Sequence, residues 1–169
     1  EILIGLVGSE MCIRDRYSGG MKQRLLIAQA FLGDPKVVFM DEPTAGLDPK
    51  ERIRIRNLIS EMALGKIVLI ATHIVSDVEY ISKEILLLKH GEIIGSGNPE
   101  SLEKELYGIV YEKKVTVEQL KEIQDKYLVA GIREEGNQVV VRYLDSKSDE
   151  ETTVWPTLDD VYLYHFYKE

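Results

Sequence analysis

An α/β sheet-and-helix domain followed by a small α+β extension is the fold this sequence predicts. Three observations predict it. The apolar run Val37-Val38-Phe39-Met40 passes straight into Asp41-Glu42-Pro43; helix-forming stretches flank it and lead to a second apolar run over residues 67–72; and beyond Tyr107 the pattern changes to short strands around one capped helix. A strand of a parallel sheet reads as a short, continuous apolar run, and ligands gather at its carboxyl end. The first run is therefore expected to be a buried strand that delivers two acids to its tip.

The elements follow in order. Residues 19–32 read as a helix through the amphipathic stretch Leu25-Leu26-Ile27-Ala28, with Ser18 ahead of it and Gly33-Asp34-Pro35 as its stop. The strand over 37–41 comes next. Asp48 caps a helix over 49–64, with proline at its first position and Gly65 ending it. A second buried strand over 67–72 ends at His73, and a helix spans 74–82. Residues 84–88 and 92–96 form a hairpin around His90-Gly91, followed by a helix over 99–106. After Tyr107, a strand over 108–115 leads to Thr116-Val117-Glu118-Gln119, a capping box that opens a helix running to about 128. A second hairpin, 132–134 with 138–144, turns at Gly136-Asn137. A polar loop over 146–151 precedes a final tyrosine-rich helix, 161–166, begun by Thr157-Leu158-Asp159-Asp160.

The chemistry lies at three places in this order. A carboxylate at a strand tip such as Asp41 can hold magnesium beside a nucleotide phosphate, and its neighbour Glu42 can orient or deprotonate water. The alternative is a solvated turn. Ser18-Gly19-Gly20 opens a helix, where free N–H groups and the positive end of the dipole attract anions and glycines admit a phosphate; by itself it reads equally as a serine cap. His73 follows the second strand where the first also ends, although an isolated histidine there is commonly structural.

Together these residues resemble one family. Tyr17-Ser18-Gly19-Gly20-Met21 matches the signature usually written LSGGQ, with Tyr for Leu and Met for Gln; residues 37–42 match the Walker B strand, 45–48 the D-loop, and His73 the switch histidine. In this order and spacing, residues 17–106 resemble the second half of the nucleotide-binding domain of an ATP-binding cassette (ABC) transporter ATPase. The resemblance implies a P-loop NTPase fold, here truncated, with ATP and Mg2+ as cofactors. It implies that Asp41 holds the metal, Glu42 and His73 are catalytic, and Ser18, Gly19, Gly20 and Met21 reach nucleotide on an opposite subunit, with Asp48 tying the two sites together. The implied partners are a second ATPase subunit packed head to tail and a membrane permease. The implied place is cytoplasmic, peripheral at the inner face of the cell membrane.

The sequence also departs from that family. No G-x-x-x-x-G-K-[ST] loop occurs; Gly5-Leu6-Val7-Gly8-Ser9 is not followed by lysine, and the glutamine-bearing loop is absent. Residues 6–16 instead resemble translated sequencing-adaptor sequence. The expected division is a non-native segment over 1–16, the C-terminal half of an ABC ATPase over 17–106, and an accessory lobe over 107–169. This lobe is similar to the extension of exporter-type cassettes for drugs, antibiotics or sodium, which end in phrases like Pro156-Thr157-Leu158-Asp159-Asp160-Val161-Tyr162. Such a fragment is expected not to hydrolyse ATP alone. Cys12, within the non-native segment, carries no functional weight.

Composition sets further bounds. The chain has 169 residues, 44% hydrophobic and 30% charged, as expected for a globular protein. A formal net charge of −8 argues against nucleic acid, whose phosphates demand clustered Lys and Arg. The basic stretch over residues 50–56 alternates with apolar residues and reads as a solvated helix face. A single cysteine gives no disulfide framework. No apolar run approaches the roughly twenty residues of a membrane span, so membrane association is expected only through a partner. Two other function classes fit parts of the pattern: a soluble ABC-type ATPase of DNA repair or translation, which would sit beside coiled coils, and a nonhydrolytic regulatory module.

Overall fold

A computed structural model describes residues 17–145 and 153–167. The segment 6–16 with Cys12 and the polar loop 146–151 lie outside the described residues. The chain divides into two compact units, the first ending at Ile81 and the second beginning at Ser82.

In the first unit, Ser18 holds extended backbone and its hydroxyl accepts from Met21 N, which starts α1 (Gly19–Ala30). Strand β1 (Val37–Asp41) follows. Asp48 repeats the serine's device, its carboxylate accepting from Glu51 N to start α2 (Pro49–Met62) with proline at the first turn. Gly65, at φ 73°, makes the left-handed turn into β2 (Ile67–Ala71). The two strands pair in parallel, Val37 with Ile67 through Asp41 with Ala71, as a strand–helix–strand unit requires. Helix α3 (Val75–Ile81) closes the unit. Its core is Ile27 of α1 and Phe31 just past that helix, Val38 and Met40 of β1, and Ile55 and Ile59 of α2.

One expectation is corrected here: neither strand is buried on both faces. Burial alternates along β1 and β2, and the outer face exposes Phe39 at 76%, Ile67 at 63%, Val37 at 45% and Leu69 at 41%. Among the described residues the helices cover one side of the sheet only, so the continuous apolar run lies half in the core and half on a surface. Truncating an exposed side chain leaves no cavity. Phe39→Thr is expected to change stability by no more than about 0.5 kcal/mol while reducing binding of a hydrophobic dye. A loss in urea unfolding on the scale of a buried phenylalanine, about 3–5 kcal/mol, would show that this face is packed.

The second unit begins with an antiparallel hairpin, β3 (Ile85–Lys89) and β4 (Glu92–Gly97), with a bulge between Leu87 and Leu88. Its turn residues His90 and Gly91 both have positive φ, 53° and 84°, which is the two-residue turn matched to strand twist. Asn98 caps α4 (Pro99–Glu105). A three-stranded antiparallel sheet follows in the order β5 (Val110–Val115), β7 (Gln138–Leu144), β6 (Leu128–Glu135). Helix α5 (Val117–Lys126) opens on the capping box, both halves of which are made: Gln119 N to Thr116 Oγ1 at 3.4 Å and Thr116 N to Gln119 Oε1 at 3.1 Å. Leu120 and Ile123 of α5 pack on Tyr111, Val141 and Tyr143 of the sheet. Helix α6 (Leu158–Tyr167) packs against α4 and β6.

Candidate functional site

Parallel pairing carries β1 and β2 to a common end, and the acids and the histidine meet there. Glu42 N donates to Ala71 O at 2.8 Å, extending the ladder by one residue beyond Asp41. Glu42 itself turns to φ 45°, a left-handed conformation uncommon outside glycine. Its carboxylate is then encircled by the loop that follows β2. Oε1 accepts from His73 N at 3.0 Å and lies 2.6 Å from His73 Nδ1, and Oε2 accepts from Thr72 Oγ1 at 3.0 Å. Thr72 Oγ1 in turn accepts from Ile74 N at 3.1 Å, which fixes the threonine's rotamer.

Burial raises the pKa of Glu42, but the His73 ring, the His73 amide and the Thr72 hydroxyl stabilise the carboxylate more, and the net shift is downward. The result is an ionised carboxylate of low basicity. Such a group orients and polarises a water better than it captures its proton. His73 remains well exposed, with its Nε2 edge not engaged by any described residue.

Asp41 differs from its neighbour. It lies exposed at the tip of β1, and its side chain has no hydrogen-bond or ion-pair partner among the described residues. Mg2+ keeps several waters and takes one or two carboxylates alongside phosphate oxygens, so a single free carboxylate at this tip fits that ion. Among the described residues no cluster of three or more His, Cys, Asp or Glu forms a closed metal cage.

Ser18, Gly19, Gly20 and Met21 lie at the start of α1, where Ser18, Gly19 and Met21 are exposed and Gly20 is buried. Gly20 lies close to α2: a Cβ there would stand 2.8 Å from Glu51 Oε2, so that side chain would have to shift to admit one. Gly19 has open space around it. The signature turn thus leans on α2 near the Asp48 cap and not on the Glu42–His73 pair. The structure gathers Asp41, Glu42 and His73, and it places Ser18–Met21 and Asp48 at two neighbouring helix starts. Sequence reasoning missed Thr72; its signal was a hydroxyl residue at the tip of an apolar strand, next to the histidine.

Residues 6–45 match the family model described as ABC transporter. ABC transporter A family member 8 of Dictyostelium discoideum is 34% identical over 125 residues, 74% of this chain and 15% of that protein. Over these residues the chain carries part of an ABC transporter ATPase domain. An uncharacterised ABC transporter ATP-binding protein of a Nostoc strain is 46% identical over 88 residues, 52% of this chain and 26% of its own length. The Nod factor export ATP-binding protein I of Rhizobium johnstonii is 42% identical over 92 residues, 54% of this chain and 30% of its own length. This chain therefore spans less than a third of these ABC relatives. The family match begins at residue 6, ahead of the signature at Tyr17. No helix among the described residues is long and apolar enough to cross a membrane.

Proposed function

We propose that this chain supplies the signature, Walker B and switch-histidine part of the ATP-binding subunit of an ABC exporter. The observation that carries the reading is the Glu42–His73 pair, 2.6 Å apart at the shared end of two parallel strands, beside the unpartnered Asp41. Glu42 orients the attacking water, and His73 offers its free edge to the terminal phosphate. Asp41 holds Mg2+, which when bound neutralises charge on the phosphates. Phosphoryl transfer needs positioned charge more than covalent chemistry, so such a set suffices once a phosphate cradle is present. Ser18, Gly19, Gly20 and Met21, exposed at a helix start apart from the buried Gly20, act on nucleotide held by a second ATPase subunit packed head to tail, and Asp48 links the two sites.

Export is supported by the Rhizobium relative, and residues 107–169 serve as an accessory lobe that pairs or regulates cassettes. The permease partner and a cytoplasmic position against the inner face of the cell membrane follow from the same family reading. The 169-residue sequence contains no lysine-bearing phosphate loop. On its own the chain is expected to show no ATP turnover above background and only weak ATP binding by calorimetry. A hybrid in which the N-terminal part of the Nostoc relative precedes Tyr17 is expected to hydrolyse ATP. Tight ATP binding by the chain alone, or an inert hybrid that folds and binds ATP, would overturn the proposal.

A further inference from the structure

Thr44 and Asp77 take no part in the chemistry described above, yet they are among the most buried polar residues of the first unit, at 0% and 3% exposure. The Thr44 hydroxyl donates to Asp77 Oδ2. Asp77 Oδ1 has no hydrogen-bond donor among the described residues and faces Arg56 Nη1 of α2 at 3.6 Å. Arg56 is itself fixed twice: Nη1 donates to Ser76 O at 3.1 Å, and its guanidinium lies 4.6 Å from the centroid of the Tyr80 ring. A buried carboxylate is costly to place, and a guanidinium that balances it also gives it a single location.

That location closes a ring. Thr44 lies two residues after Glu42, and Asp77 lies four after His73, so the two loops are joined once at Glu42–His73 and again at Thr44–Asp77. The first junction is partly exposed, with the His73 side chain 73% and that of Glu42 32% accessible. The second is buried. We propose that Thr44 and Asp77, held by Arg56, are positioning residues that set the separation of the two loops and thereby hold His73 against Glu42 before any nucleotide arrives. The assignment rests on the reading of Glu42 and His73 as the reactive pair.

The imidazole itself reports the clasp. At 2.6 Å, a neutral ring meets a carboxylate favourably only if Nδ1 carries the proton, since an unprotonated Nδ1 would set lone pair against lone pair. An unconstrained imidazole is free to carry the proton on Nε2 instead. Nitrogen NMR of His73 in the 169-residue chain, at mildly alkaline pH without nucleotide, is expected to show a protonated Nδ1 and an unprotonated Nε2. Thr44→Val keeps the shape of the side chain but removes the donor, and should move both resonances toward the opposite tautomer. Thr44→Ser restores the donor and should retain the native signature.

If Thr44→Val leaves the Asp77 charge too costly to fold, the double variant Thr44→Val/Asp77→Asn removes donor and charge together and should show the same tautomer shift. A folded Thr44→Val or double variant with the native His73 signature overturns the proposal, as does a native chain with the proton on Nε2. No nucleotide is present, so this result is independent of whether the hybrid hydrolyses ATP: loss of the clasp with hydrolysis intact, or the reverse, separates the two readings.

Discussion

Glu42→Gln in the hydrolysing hybrid is expected to lower kcat by about 10²–10³-fold, equivalent to about 2.7–4 kcal/mol of transition-state stabilisation, with ATP affinity nearly unchanged. The amide preserves the shape of the side chain and can still accept from His73 N, so the loop after β2 has no reason to collapse. What it loses is the negative charge proposed to polarise a water. In the native chain that charge is secured by three donors, the His73 ring, the His73 amide and the Thr72 hydroxyl, which hold the Glu42 pKa down against the opposing effect of burial. The substitution touches neither the hybrid's phosphate loop nor the Mg2+ proposed at Asp41, so binding and turnover should separate. Paired cassettes that cannot hydrolyse should accumulate in ATP and be visible by size exclusion. A variant that turned over ATP within a few fold of the parent would remove Glu42 from the role of water-orienting group.

The meeting of Glu42 and His73, thirty-one residues apart, was legible in the sequence because each follows a strand. Two strands joined by one helix pair in parallel, and their carboxyl ends must then coincide. Helix starts were legible for a more local reason: the side chains of Ser18, Asp48 and Thr116 bond backbone only three residues ahead, so cap and recipient are read together. The two hairpin turns, His90-Gly91 and Gly136-Asn137, were local in the same sense.

Burial of the strands was not legible, since an apolar run records what a strand tolerates and not how many layers cover it. Phe39 at 76% exposure lies on the same strand as Val38 at 4%. Strand β6 also starts at Leu128, four residues ahead of the start at 132 that the sequence pattern predicts. Its first residues pair with Tyr143 and Leu144 across a bulge, a decision made by the partner strand. Thr72, Thr44 and Asp77 were missed because their partners come from other elements. The same cause hid the ion-pair cluster of the second unit, in which Asp160 meets Arg142.

Arg142→Met is expected to destabilise the second unit by about 3–5 kcal/mol, because it leaves a buried carboxylate without its counter-charge. Asp160 at the start of α6 is 1% exposed, and Arg142 of β7 meets it with Nη2 at 2.6 Å and Nε at 3.1 Å. The same guanidinium donates to Trp155 O at 2.8 Å and to Glu112 Oε1 of β5 at 3.3 Å, so one side chain joins two strands, the segment before α6 and the helix itself. Thr157 N and Oγ1 would still donate to Asp160 Oδ2, at 2.8 and 2.9 Å, but neutral donors do not offset a full charge. Trp155 is the only tryptophan, and its Nε1 donates to Glu103 within the same unit, so urea unfolding followed by its fluorescence reads this unit directly. The pH dependence has a definite sign. The Arg133 hydrogen bond chiefly holds the Glu112 pKa below its ordinary 4.5, with burial opposing and Arg142 adding to the lowering. A depressed carboxylate contributes stability that is present above the unfolded value and lost as pH falls through the folded one. The native chain should therefore lose stability below about pH 4.5, and Arg142→Met should lose less there, having already forfeited part of that contribution. Removing both charges with Arg142→Met/Asp160→Leu should recover much of the loss, since the cost lies in the orphaned carboxylate and not in the absent pair. A single variant within about 1 kcal/mol of the native chain would mean that Thr157 and solvent satisfy Asp160 without the arginine.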